Sequence, residues 1–202
     1  LRKNYPSRIA GKAPQPSREL SPSELLNNIE YFTRGLKTPR TRPCKRLILS
    51  GIQEHQRNSI EQVILGLVEN EITQLVLHIP PNELKFFMEI QNTTQSEIRY
   101  VCSIKTMVDL IKTAQLATNE TTLSIMLNTE VLSNWDKCIS HLQMSKLDTV
   151  VFHYPYPGAN ERPEQDLITL LSKLKQVKEA FKNTPLKIFC KGLPICYLHP
   201  LD

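Results

Sequence analysis

The groups with chemistry to offer are two histidines, one acid and one small-residue loop. His78 and His153 each stand at the end of a short apolar run, and Glu54 follows a third, Arg46–Gly51. Two imidazoles and a carboxylate at strand ends are the donor set of a two-His-one-carboxylate metal site. The alternative is that each histidine is a partly buried polar residue bonded to a loop backbone. His78, just ahead of Ile79 and the Pro80–Pro81 break, then simply closes a turn. The candidate ligand-binding residues are Ser50, Gly51, Glu54, His78, His153 and Tyr154. Cys102, Ser103, Asn128, Tyr156, Cys190 and Lys191 fall at strand ends as well. No catalytic residue is assigned.

Other devices are missing from the sequence. No G-x-S-x-G places a nucleophile on an elbow, and Cys44 precedes its strand, at the wrong end. There is no G-x-G-x-x-G and no Gly-Lys-Ser/Thr, so nucleotide binding through those two loops is excluded. The five cysteines contain no C-x-x-C. An odd, scattered set fits a reducing cytosol better than a secreted disulfide scaffold, so the expected location is cytoplasmic.

The elements that must position these residues alternate. Residues 1–20 hold three prolines among Arg, Lys and Ser without apolar periodicity, and read as a basic flexible arm. Ser21-Pro22-Ser23-Glu24 has the form of a capping box, with Leu25, Ile29, Phe32 and Leu36 at helical spacing after it. Residues 38–43, with two prolines, read as a linker. Strands are then expected at 46–50, 74–79, 98–102, 122–127, 148–153 and 186–190, with a helix between each pair. Asn82 and Thr129 are expected to cap two of these helices. The first strand reads as buried on both faces, which puts Ile48 in the core. Tyr154–Pro163 is a polar, proline-rich loop ahead of the longest helix, and its rigid aromatic start, Tyr154–Gly158, is either a pocket wall or a surface turn.

Strand-helix alternation favours parallel pairing with right-handed crossovers. Six strands fall short of the eight of a closed TIM barrel. The fold class is therefore α/β, with residues 21–202 forming an open (β/α)6 partial barrel or an open doubly wound sheet. Either way the ligand belongs at the carboxyl ends of the strands.

Charge is uneven. Residues 1–46 hold 11 Lys/Arg against 3 Glu, leaving 14 against 17 in the remainder, out of totals of 25 and 20. A basic N-terminal segment is either a solvated tail or a site for nucleic acid. No aromatic residues interleave the cations as on a stacking surface. No apolar run approaches the ~18 residues of a membrane span.

The order of elements resembles the radical S-adenosylmethionine (radical SAM) superfamily. Arg46–Gly51 is similar to the strand leading into that family's Gly-Gly-Glu-Pro motif. Ser50 and Gly51 match its start, Ile52 stands for the second glycine, and Glu54 is displaced by one place. The capped helix at Ser21 resembles the first barrel helix. Lys191-Gly-Leu-Pro-Ile-Cys196 resembles the Gly-(apolar)-Pro-x-Cys segment that ends the barrel in several peptide-modifying members. The resemblance implies a partial six-stranded parallel barrel, with S-adenosylmethionine as the cofactor at the strand ends. The family's C-x-x-x-C-x-x-C, which binds its [4Fe-4S] cluster, does not occur in this sequence, so this segment is not expected to hold one. Two alternatives stay open: a fragment whose cluster loop lies upstream, or a degenerate member. The latter implies a partner or substrate-binding subunit, with an active radical SAM enzyme or a peptide as its partner. The competing expectations are an active α/β-barrel enzyme acting on a small molecule and a nucleic-acid-binding protein.

Overall fold

The computed structural model describes residues 21–35, 46–50, 57–69, 72, 74–91, 97–154 and 167–193. The expected arm at 1–20, the linker at 38–43 and the loop Tyr154–Pro163 beyond Tyr154 lie outside the described residues. Within them, helix α1 (Pro22–Gly35) begins with the anticipated capping box. Ser21 Oγ accepts from the Glu24 amide at 3.2 Å, and the Ser21 amide donates to Glu24 Oε2 at 2.9 Å. Two otherwise unpaired donors are thereby satisfied.

Six strands follow: β1 (Arg46–Leu49), β2 (Gln74–Ile79), β3 (Glu97–Ile104), β4 (Thr121–Met126), β5 (Thr149–His153) and β6 (Lys187–Lys191). They form one sheet in the order β1-β2-β3-β4-β5-β6, every pair parallel. The helices between them are α2 (Arg57–Glu69), α3 (Leu84–Gln91), α4 (Met107–Leu116), α5 (Thr129–Ser133), α6 (Trp135–Met144) and α7 (Leu167–Phe181).

Strand order decides between the two architectures left open. A doubly wound sheet needs a point where the order reverses. Here it never does, and successive right-handed crossovers in one direction leave all helices on one face. This is an open partial barrel, and the sheet does not close.

The burial pattern agrees. Leu75, Leu77 and Ile79 of β2, Ile98, Tyr100, Cys102 and Ile104 of β3, Leu123 and Ile125 of β4, and Val150 and Phe152 of β5 are all buried. They join Leu67, Phe87, Leu110, Trp135 and Val177 from the helices in one core. Tyr100 is the largest fully buried side chain, and its hydroxyl donates to the Phe87 carbonyl at 2.8 Å. Trp135 Nε1 donates to the Lys173 carbonyl at 3.1 Å, joining α6 to α7.

Four local expectations are corrected. Ile48 is not in the core: it is 60% exposed, while Leu47 and Leu49 on either side pack against the core. An edge strand whose one face lacks helices buries alternate residues only. Asn82 does not cap α3; it lies in a 3-10 turn, Pro81–Glu83, that precedes the helix. Asn128 caps α5 in place of Thr129, its side chain accepting from the Val131 amide at 3.0 Å. Extended backbone at Asn128 (φ −100°, ψ 175°) lets the short amide reach back to that donor. The helix expected there is also two, α5 and α6, divided at Asn134.

Candidate functional site

Alternate strand residues face the side opposite to the helices. Register carries this parity across all six strands: Arg46 pairs with Gln74, Gln74 with Glu97, Val101 with Thr122, Thr122 with Thr149, and Thr149 with Lys187. The inner face therefore carries Ile48, Val76, His78, Arg99, Val101, Ser103, Thr122, Ser124, Met126, Thr149, Val151, His153, Phe189 and Lys191 between its margins. None of these residues is buried; each is half-buried or exposed. One face of the sheet is thus sealed by helices and the other is open from edge to edge among the described residues.

The two ends of the open face differ in charge. Where the strands begin, Arg46 Nε donates to Gln74 Oε1 at 3.1 Å, Gln74 Nε2 to Glu97 Oε2 at 3.3 Å, and Arg99 to Glu97 Oε1 at 3.0 Å. That chain of side chains is exposed and fixes the strand starts to one another. Where the strands end, the inward groups are His78, Ser103, Met126, His153 and Lys191, with the hydroxyls of Ser124 and Thr122 further back along β4.

The last turn of this rim depends on a glycine. The Tyr154 amide donates to the Lys191 carbonyl at 2.8 Å, pulling the chain after β5 onto the end of β6. Gly192 follows with φ 86°, and a Cβ there would stand 2.2 Å from the Tyr154 carbonyl oxygen. Only glycine fits both the left-handed backbone and the close approach. The next strand end is fixed by Asn128, whose Nδ2 donates to the Lys105 carbonyl at 2.6 Å and so ties the exit of β4 to that of β3. Beside it, Glu130 Oε1 accepts from the Met107 amide at 2.8 Å, at the start of α4.

Of the sequence candidates, Ser50 is exposed just past β1, and His78 and His153 lie on the open face near the strand ends. Gly51 and Glu54 lie outside the described residues. Tyr154 is buried in the core on the helix-facing parity, one residue past His153. The two histidines do not meet. His78 aligns through Val101 and Thr122 with Thr149, so His153 is three strands away and four residues further on. That is about 14 Å across the sheet and about 13 Å along it. No single ion reaches both, and among the described residues no group of three His, Cys, Asp or Glu side chains is placed to hold a metal. Sequence reasoning passed over Lys187, Phe189 and Glu130. The signal for the first two was the alternation in Lys187-Ile-Phe-Cys-Lys191, which puts both lysines and the ring on one face.

The sequence matches no protein-family model and no curated protein. The described cysteines do not fit an iron-sulfur cluster. Cys102 and Cys138 are buried on separate elements, and burial pushes both thiols up to about 12. Cys190 is half-buried on β6, and burial raises its thiol too. A cluster needs thiolates gathered round one point. Cys44 and Cys196 lie outside the described residues. Among the described residues, no helix is long and apolar enough to cross a membrane.

Proposed function

We propose that this chain is a substrate-binding or partner subunit built on a radical-SAM-like partial barrel, and that its ligand lies on the open inner face toward the strand ends. The observation that carries this reading is the contrast between the two faces of the sheet. One is sealed by the helices; on the other no inward side chain is buried, and Ile48, His78, Ser103, Phe189 and Lys191 are exposed. A concave sheet face with polar groups at its carboxyl end is the usual place for a ligand in parallel α/β folds. Peptide is the favoured ligand, because the resemblance at Lys191–Cys196 is to members that modify peptides.

The test is selection of peptides from a random displayed library against the purified chain, followed by measurement of each binder with Ser103→Trp. Ser103 is exposed on the inner face, so the indole blocks the face at little cost to packing. Binding lost in Ser103→Trp supports the reading; binders indifferent to it overturn it. Anaerobic reconstitution with iron and sulfide tests the absence of a catalytic cluster. Less than one cluster's worth of iron is expected, and a stable content of about four Fe per chain, with cluster absorption, overturns the subunit assignment.

A further inference from the structure

We infer that the ligand of the inner face is an acidic peptide segment of about seven residues, bound extended across the strands with apolar residues at both ends; this rests on the binding reading above. The charge pattern comes first. From the row of His78 to the strand ends, the inward positions of all six strands hold no Asp or Glu. The charges there are Lys187 and Lys191, both exposed on β6, with two imidazoles and a field of hydroxyls beside them. Among the described residues the inner face's one acid, Glu97, stands at the opposite end and is held by Arg99 and Gln74. A one-sign surface backed by a dry core selects and steers ligands of the opposite sign.

The apolar pattern comes second. Ile48 on the first strand is 60% exposed and Phe189 on the last is 54% exposed, and both point to this face. They mark its two margins. Six strands spaced about 4.8 Å apart span about 24 Å, which an extended chain rising about 3.3 Å per residue crosses in about seven residues. A small anion would satisfy the lysines and leave both margins bare.

The probe is a dye-labelled heptapeptide with leucine and phenylalanine at its ends and three glutamates between them, measured by fluorescence anisotropy. Its partner is the same peptide with glutamines for the glutamates; inorganic phosphate is the small-anion competitor. The acidic peptide is expected to bind at least tenfold more tightly than the neutral one. The double variant Lys187→Gln, Lys191→Gln is expected to weaken it about five- to thirtyfold, and rising salt should weaken it further. Ser103→Trp should abolish it. Equal binding of both peptides, lost in Ser103→Trp, overturns the acidic assignment and leaves the peptide-binding reading standing. Displacement by low-millimolar phosphate overturns it in favour of a small anion. Failure of both peptides to bind, or binding indifferent to Ser103→Trp, overturns it together with its parent.

Discussion

Leu77 and Ile48 sit on neighbouring strands, one register step apart, and face opposite sides of the sheet. Leu77 is completely buried among helix side chains, so Leu77→Ala loses all its packing and leaves a cavity. For such sites the cost is about 3–5 kcal/mol. Ile48 is 60% exposed, leaving about two-fifths of its surface covered. Full burial of an isoleucine is worth about 1.5–3 kcal/mol, so the covered share is worth about 0.6–1.2 kcal/mol, with no closed cavity to add. Ile48→Ala should therefore cost about 1 kcal/mol or less. In a chain of this length each kcal/mol moves the Tm by about 2–4 °C, so the two variants should separate into shifts of about 6–20 °C and under about 4 °C. Scanning calorimetry or a urea titration of each variant decides it. Equal losses at the two sites would refute the reasoning, because Ile48 would then be buried and the inner face not open.

Gly192→Ala forces a side chain into left-handed backbone and against the Tyr154 carbonyl, and should cost at least about 2 kcal/mol in urea midpoints, with the loss centred on the β5–β6 rim in hydrogen exchange. Cys102 and Cys138 are held neutral by burial at about 12 against an ordinary 9.0, so the stabilisation is whole below pH 9 and is lost as pH rises toward 12. The urea midpoint should fall over that range, more shallowly in Cys102→Ala, and a thiol reagent at pH 8 should label neither residue until the protein unfolds, as peptide mapping will show. Trp135, the chain's one tryptophan, is buried 5.4 Å from the Phe152 ring. Its fluorescence should be blue-shifted in the native state and shift red in one step with unfolding, whereas Trp135→Phe, which removes the indole's hydrogen bond to the Lys173 carbonyl and shrinks a buried ring, should cost about 1–3 kcal/mol.

The parallel α/β architecture was legible because apolar runs and capped helices alternate so regularly; Ser21 announces a helix start that the structure uses. Facing was harder to read. Arg46-Leu-Ile-Leu and Thr149-Val-Val-Phe carry apolar residues at both parities, so nothing in them says which side helices cover. A run of this kind looks doubly buried even where only one face is. The approximate places of His78 and His153 at strand ends could be read, but their separation depends on register, which no residue type records. Tyr154 was read as a loop residue, yet the period of two continues through it and turns it into the core. The cap at Asn128 was misplaced by one residue because Asn and Thr are both good caps and only backbone geometry chooses.

The unbroken strand order also bears on how the chain comes together during synthesis. Each strand pairs only with the one before and the one after it in sequence, so no pairing waits for the far end of the chain. The closest link, Val101 with Thr122, closes a short loop, and the widest, Val150 with Ile188, spans the longest helix and comes last. Loop closure grows dearer only slowly with length, so every step is of similar difficulty. As the chain emerges from the ribosome, a growing sheet of two, three and then four strands can already bury one side, and β6 is added as a final stave.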